Sequence, residues 1–266
     1  METLHNLKRP FGQLDISTSP LGLGTVKIGR NKNIKNACGD GGHLPSPQDC
    51  LKLLSLAKDL GINVIDTAPA YGVAENMLGS TLGSLRKDFH LMTKVGESFC
   101  SQTGKSTYQF DTTSITKSLE NSLRQLKTDY LDFVSIHCSR NDYEELSSTD
   151  VIPTLKKFRE KGIIRGIGAS IYSEKAAHLS LHELDGIMVQ YNTKDQQHQS
   201  TLQQAFRQQK AILIKKPLVQ GFSNKIEDAL EVVFQQNVNQ CAVFGTLNTE
   251  HLIQNVQLTH KILTRK

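Results

Sequence analysis

Short apolar runs alternate with amphipathic stretches along almost the whole chain. Eight runs rich in β-branched or other apolar residues predict strands at 22–26, 63–65, 89–94, 130–136, 163–168, 186–190, 211–214 and 241–244. Between and after them, apolar positions recur with the helical period and predict helices at 47–60, 74–86, 112–127, 147–161, 174–182, 199–209, 225–237 and 249–262. The pattern therefore predicts eight successive strand–helix units.

Capping residues mark several of the predicted helix boundaries. Ser46 precedes Pro47 at the first helix, Asp111 precedes the third, and Ser173 precedes the fifth. Gly61 and Gly162 each follow a predicted helix, where a left-handed conformation costs least in a residue without a Cβ. These signals support the assignment of the elements.

Eight such units within 266 residues, without a linker-like segment, predict one α/β domain over 1–266, a closed (β/α)8 TIM barrel. The rival is an open doubly wound sheet, with "GLG" at 22–24 as its dinucleotide fingerprint. That fingerprint needs a helix to follow at once, whereas "TVKIG" is strand-like, so the barrel is favoured. We expect "FGQLDISTSP" at 11–20 to form a short N-terminal strand pair that caps the barrel bottom.

Composition narrows the class of protein. Hydrophobic residues make up 38% of the chain, yet no apolar run approaches the ~18 residues of a membrane span. The start "METLHNLKRP" lacks the pattern of a signal peptide. The five cysteines stand singly, without the CxxC spacing of a redox or zinc site. We therefore expect a cytoplasmic protein with no membrane attachment.

The net charge of +5 raises the question of a nucleic-acid partner. Basic residues are mixed with acidic ones, aromatic residues make up 6% and tryptophan is absent, so no nucleic-acid partner is predicted. A small anionic ligand, such as a phosphorylated cofactor, explains the charge equally well. His178 and His182 have a spacing that can bind a metal, but a third ligand is missing, so no metal site is predicted.

Polar residues end four consecutive predicted strands. The second strand ends at Asp66 with Tyr71 in the following loop, and the next three end at Lys94, His137 and Ser170. In a barrel of this kind, side chains at the C-terminal strand ends face the active-site mouth. Taken singly, each residue is equally typical of a turn, a cap or a solvated rim. Their joint placement therefore carries the prediction of a site.

Four of these residues together describe a proton donor. An ammonium at Lys94 would lower the pKa of the Tyr71 phenol, and Asp66 would keep that ammonium charged. His137 would donate a hydrogen bond to an oxygen that gains negative charge. The set is suited to protonating a carbonyl oxygen during reduction, and the hydride has to come from a cofactor.

Six motifs resemble, in order, the signatures of the aldo-keto reductases: "NVIDTAPAYGVAENMLG", "HLMTKVGE", "SLRQLKTDYLDFVSIH", "GIIRGIGAS", "MVQYN" and "FGTLNTEHLIQNV". The resemblance covers nearly the whole chain. It implies a TIM barrel with a catalytic tetrad of Asp66, Tyr71, Lys94 and His137. It also implies reduction of a small aldehyde or ketone by hydride transfer from NADPH, with NADH as the alternative. The oligomeric state stays open, with a monomer favoured.

The resemblance also implies the contacts of the cofactor. Ser170 and Gln190 would bind the nicotinamide carboxamide, while the last strand–helix unit would bind the phosphate and adenosine end, with Gln254 and Asn255 at the adenine. The expected cofactor-binding residues are Thr25, Ser170, Gln190, Lys215, Lys216, Pro217, Gly245, Thr246, His251, Gln254 and Asn255.

Three positions depart from the family pattern. Ile171 stands where an asparagine is common, and Lys215 with Lys216 stands where many members have a tyrosine that stacks on the nicotinamide. We expect one of the two lysines to approach the phosphates or the nicotinamide. His251 replaces a basic residue that binds the 2′-phosphate, which weakens the preference for NADPH.

The sequence also predicts which loops surround the substrate, and it leaves two alternatives to carbonyl reduction. The loops at 28–46 and 96–111 are long for this fold and are predicted to form the substrate walls. A Schiff-base lyase that uses Lys94 as its nucleophile remains open. So does an NADPH-binding regulatory or scaffold protein with little turnover.

Overall fold

Strands and helices alternate along the part of the chain that the computed structural model describes, residues 2–31, 43–219, 225–235 and 239–265. The strands are β1 (Arg9–Pro10), β2 (Ser17–Thr18), β3 (Leu21–Gly24), β4 (Val64–Asp66), β5 (His90–Val95), β6 (Glu97–Cys100), β7 (Lys105–Tyr108), β8 (Phe133–His137), β9 (Ile167–Ser170), β10 (Gly186–Gln190), β11 (Ala211–Lys215) and β12 (Gln240–Phe244). The α-helices are α1 (Val26–Gly29), α2 (Pro47–Asp59), α3 (Ala74–Thr81), α4 (Thr112–Leu126), α5 (Asp142–Ser147), α6 (Val151–Glu160), α7 (Glu174–Glu183), α8 (Gln199–Arg207), α9 (Ile226–Phe234) and α10 (Thr249–Thr264). Among the helices of these ranges, none is long and apolar enough to cross a bilayer.

Eight parallel strands close into a barrel in the order β3, β4, β5, β8, β9, β10, β11 and β12, and β12 pairs with β3. The predicted (β/α)8 barrel is thus confirmed, and the open sheet is excluded. The predicted N-terminal strand pair is confirmed as well, since β1 and β2 pair antiparallel. The pair begins at Arg9, slightly before the predicted segment.

Aromatic side chains fill the lower part of the barrel. The rings of Phe11 and Phe133 pack edge to face with their centres 5.2 Å apart, and both residues are fully buried. Gly166 and Gly168 leave the room for Phe133, because a Cβ on them would lie 2.8 Å and 2.4 Å from its ring. The segment after β1 therefore fills the barrel at the N-terminal ends of its strands.

The helix caps follow the sequence signals. Ser46, Asp111 and Ser173 each accept a hydrogen bond from a backbone N–H in the first turn of the following helix. Gly61 and Gly162 have φ values of +85° and +74°, which only glycine adopts without strain. The predicted helix starts and stops are confirmed at these positions.

Three local predictions were wrong. "TVKIG" is not a strand: the backbone N–H of Thr25 donates to Asp66 O at the barrel rim, and the chain then forms α1. The helix predicted at 74–86 ends at Thr81 and is followed by the 3-10 helix Gly83–Asp88. The helix predicted at 147–161 begins only at Val151 as α6, and the separate helix α5, which was not predicted, precedes it. The closed barrel still rules out the dinucleotide fingerprint.

Candidate active site

A cavity of about 510 Å³ opens at the C-terminal ends of the barrel strands. Its volume is typical of small-molecule sites. The predicted site residues that line it are Thr25, Asp66, Tyr71, Lys94, His137, Ser170, Lys215, Lys216, Pro217, Gly245, Thr246, His251 and Asn255. Gln190 and Gln254 do not line it.

Asp66 and Lys94 form a buried ion pair at the ends of the adjacent strands β4 and β5. The Nζ atom of Lys94 lies 2.7 Å from both carboxylate oxygens of Asp66 and donates to Thr67 O at 2.9 Å. The two side chains are 5% and 1% exposed for Asp66 and Lys94. Burial is the largest single influence and lowers the pKa of Lys94, but Asp66 and Tyr71 together raise it by more, so the net effect is a raised pKa. The ammonium is therefore held charged inside the cavity.

Tyr71 lies at the end of the 3-10 helix Pro69–Tyr71, against α1. Gly29 permits this approach, since a Cβ there would lie 2.1 Å from Tyr71 O. The Nζ atom of Lys94 is 4.9 Å from the centre of the Tyr71 ring.

The pKa of Tyr71 differs from the sequence-based expectation. Burial raises it, the ammonium of Lys94 lowers it, and the balance lies above the ordinary value. The expectation of a lowered pKa was wrong because burial has the larger effect. The phenol is therefore protonated at neutral pH and available as a proton donor.

His137, at the end of β8, lies beside Tyr71 with the two ring planes perpendicular and their centres 6.4 Å apart. Its Nδ1 atom is 2.9 Å from Glu97 Oε2, and this contact is an ion pair only when the imidazole is protonated. Burial lowers the pKa of His137, and Glu97 partly opposes this effect.

Glu97 is a cavity residue that the sequence reasoning missed. Gly96 has a φ of +106° and turns the chain after β5, so that Glu97 begins the antiparallel hairpin β6–β7 and faces the cavity. Tyr108, at the end of this hairpin, lines the cavity as well. The sequence gives one signal for Glu97: it is a charged residue three positions after Lys94, close to the end of the same strand. The hairpin occupies the predicted substrate-wall loop at 96–111, whereas most of the other loop, 32–42, lies outside the described residues.

Lys215, at the end of β11, reaches across the mouth to the end of β9. Its Nζ atom donates to Ser170 Oγ at 2.8 Å and to Ile171 O at 3.4 Å, and it lies 4.0 Å from the ring centre of Tyr172. Its partners among the described residues are thus a hydroxyl, a carbonyl and an aromatic ring. Burial, followed by repulsion from Lys216, lowers the pKa of Lys215 to about 7.

The far end of the cavity contains an amide without a partner. Asn255 on α10 is 3% exposed, and its Oδ1 atom has no hydrogen-bond partner among the described residues. The N-terminus of α10 lies nearby, capped by Asn248, which accepts from the backbone N–H groups of Glu250 and His251. A buried acceptor without a partner is rare, so Asn255 marks a place where a ligand donor fits.

Three predicted or discussed residues point elsewhere. Gln190 Nε2 donates to Asp195 Oδ2 at 2.9 Å, and Gln190 lines a smaller neighbouring cavity. Gln254 is exposed on α10. The side chain of Ile171 is fully buried in the hydrophobic core and does not line the cavity. Within the described ranges, no group of three or more His, Cys, Asp or Glu side chains is placed to hold a metal ion.

Comparison with known proteins assigns the family. The model of the aldo/keto reductase family matches residues 20–265. The chain therefore belongs to the aldo/keto reductase family. Among solved structures, a Pseudomonas aeruginosa protein described as belonging to the aldo-keto reductases is 37% identical, with a TM-score of 0.90 over 99% of this chain and 98% of that chain.

Two curated relatives are an oxidoreductase and a reductase. An uncharacterized oxidoreductase of Bacillus subtilis is 26% identical over 80% of this chain and 65% of its own length. The NADH-specific methylglyoxal reductase of Escherichia coli is 29% identical over 80% of this chain and 68% of its own length. The chain thus spans about two thirds of the length of these relatives.

Proposed function

We propose that this protein reduces an aldehyde or ketone to an alcohol with hydride from NAD(P)H, and that Tyr71 donates the proton. One observation carries the proposal: a phenol lies beside a buried ammonium that is itself held by a carboxylate, at the mouth of the barrel. Membership of the aldo/keto reductase family supports the same reaction class.

The residues around Tyr71 favour transfer of its proton when the carbonyl oxygen gains negative charge, and not before. The phenol stays protonated while the carbonyl is neutral, because burial raises the pKa of Tyr71. When hydride reaches the carbon, the oxygen gains negative charge and takes this proton. The ammonium of Lys94 stabilises the phenolate that remains, and Asp66 fixes the ammonium in place. General acid catalysis of this kind supplies about 10²- to 10⁴-fold in rate.

The cavity fits a dinucleotide in charge and in hydrogen-bonding groups. Bound NAD(P)H would supply the hydride. Ser170 and Lys215 would meet the nicotinamide carboxamide, so that Lys215 replaces the hydrogen bond that Ile171 cannot make. Asn255 would accept from the adenine amino group. Basic residues on the wall, Lys27 and Arg30, suit the phosphates.

The proposal is tested by titrating the protein with NADPH and with NADH, and then following oxidation of the bound cofactor with reactive aldehydes, methylglyoxal among them. Aldehyde-dependent oxidation is expected. Failure to bind either cofactor would contradict the proposed function. Binding of a cofactor without turnover of any aldehyde would favour the regulatory or scaffold alternative.

The lyase alternative is disfavoured by the surroundings of Lys94. A Schiff base needs a neutral amine, whereas this amine is charged and hydrogen-bonded to Asp66 and Thr67. Borohydride treatment in the presence of a carbonyl compound is expected to leave Lys94 unmodified. The single domain over 1–266 and the cytoplasmic location stay predictions.

Lys215 is expected to make binding of the oxidised cofactor depend on pH. The oxidised nicotinamide is cationic and repels an ammonium, while the reduced ring is neutral. With a pKa of about 7, the neutral fraction of Lys215 falls about tenfold between about pH 8 and about pH 6. The dissociation constant of the oxidised cofactor, divided by that of the reduced cofactor, should therefore rise by up to about tenfold as the pH falls over this range.

Fluorescence titrations with both cofactor forms measure this ratio. Titrating groups of the protein that affect both forms equally do not change the ratio. The Lys215→Met variant should give a ratio that does not change with pH. Lys216→Met should retain the dependence but move it to higher pH, because repulsion from Lys216 lowers the pKa of Lys215. A flat ratio in the wild-type protein would show that Lys215 lies away from the nicotinamide.

A further inference from the structure

A carboxylate outside the tetrad lies against His137. Oε2 of Glu97 is 2.9 Å from His137 Nδ1, and Oε1 accepts a hydrogen bond from Ser106 Oγ at 2.5 Å. Glu97 is 7% exposed, and the side chain of His137 is 15% exposed and lines the cavity. The imidazole therefore has a carboxylate against its Nδ1 atom and lines the cavity itself.

The position of this carboxylate decides which nitrogen of His137 holds the proton. An ionised carboxylate only accepts hydrogen bonds, so it repels a lone pair on Nδ1 and attracts an N–H there. A neutral imidazole carries one proton. With that proton on Nδ1, the Nε2 atom has a lone pair and donates no hydrogen bond.

We propose that Glu97 is a positioning residue that holds a proton on Nδ1 of His137, so that Nε2 donates to the substrate oxygen only when the ring is an imidazolium. The inference rests on the proposed carbonyl reduction. In that reaction hydride goes to the carbon and the Tyr71 proton goes to the oxygen, while the imidazolium stabilises the oxygen and keeps both of its own protons. In the reverse direction, the lone pair on Nε2 of the neutral ring accepts a hydrogen bond from the alcohol.

Charged groups on several elements act on the same ring. Burial lowers the pKa of His137, and the ammonium groups of Lys94 on β5 and Lys215 on β11 act in the same direction. Glu97 is the group that opposes them. Burial also raises the pKa values of Tyr71 and Tyr108, so both phenols face the pair without charge at neutral pH. Among the described residues, Glu97 supplies the counter-charge in contact with the imidazole, and its replacement by a neutral residue would remove that charge.

The first test reads the proton position without turnover. Imidazole-nitrogen NMR distinguishes a neutral ring protonated on Nδ1 from one protonated on Nε2, and the signal of His137 is assigned by its loss in His137→Gln. The wild-type ring should be protonated on Nδ1. In Glu97→Gln the amide can donate to Nδ1, so the form protonated on Nε2 should appear.

The second test is the pH dependence of kcat/KM for aldehyde reduction. In the wild type, the rate should fall as pH rises through the titration of His137. In Glu97→Gln, the neutral ring that carries its proton on Nε2 can donate to the substrate oxygen, so kcat/KM should no longer fall as the imidazolium is lost. Ser106→Ala removes the other hydrogen bond of Glu97 but keeps its charge, and should leave the limb in place. Glu97→Asp keeps the charge but places it farther from Nδ1, so the falling limb should persist and move to lower pH, which keeps the test open if Glu97→Gln does not fold.

Two results would overturn the inference. One is a wild-type His137 that is protonated on Nε2 when neutral. The other is a Glu97→Gln variant in which kcat/KM falls with rising pH in the same way as in the wild type, since the donor state of Nε2 would then not depend on Glu97. A protein that turns over no aldehyde contradicts the proposed function, whereas the NMR result still decides where Glu97 holds the proton.

Discussion

Replacement of Tyr71 by Phe is expected to lower the turnover of aldehyde reduction by about 10²- to 10⁴-fold, with cofactor affinity unchanged. Only the phenolic hydroxyl is lost, and the ring keeps its place beside Lys94 and His137. Single-turnover oxidation of bound cofactor measures the chemical step, and a fluorescence titration measures the affinity.

Tyr108→Phe is the matched control, because Tyr108 also lines the cavity but lies on the hairpin β6–β7. Its turnover should change by much less than that of Tyr71→Phe. If Tyr71→Phe keeps most of the wild-type turnover, another group donates the proton and the proposed role of Tyr71 is wrong.

The second large effect is expected at the Asp66–Lys94 pair. Lys94→Met leaves the carboxylate of Asp66 buried without its partner, and such a loss costs about 3–5 kcal/mol of unfolding free energy. Turnover should fall by about 10²-fold or more as well, because the phenolate of Tyr71 loses its stabilising charge. Urea unfolding gives the first quantity and aldehyde reduction the second.

A double variant separates the two effects. Asp66→Asn in the Lys94→Met background removes the unpaired charge, so most of the lost stability should return while turnover stays low. A double variant that recovers turnover would show that the ammonium is not needed for catalysis. A single Lys94→Met variant as stable as the wild type would contradict the buried pair.

The pattern of residues along the chain was sufficient to predict that Asp66, Tyr71, Lys94 and His137 lie around one cavity. Asp66, Lys94 and His137 end or lie near the end of apolar strands, and the closing of parallel strands into a barrel leaves one rim for such residues. Period and residue type are local properties of the sequence, and they determine this rim directly.

The other features of the site depend on loop conformation and burial, which no periodic pattern of residues in the sequence encodes. Glu97 reaches the cavity because Gly96 adopts a positive φ and the chain then pairs as a hairpin. The side chain of Gln190 turns to Asp195, and no feature of "MVQYN" indicates this. The direction of the pKa of Tyr71 depends on how deeply the phenol lies, which a sequence does not state. Loop dihedral angles and depth of burial therefore limit what the pattern predicts.

The plug formed by Phe11 and Phe133 also affects the order of events during turnover. In the described part of the chain the barrel bottom is filled, so a molecule in the cavity would exchange with solvent through the rim. A dinucleotide that spans this rim from Ser170 to Asn255 would share its exit with the substrate. Whichever molecule binds deeper must then arrive first and leave last, so the steady-state kinetics would follow a compulsory sequence of binding and release.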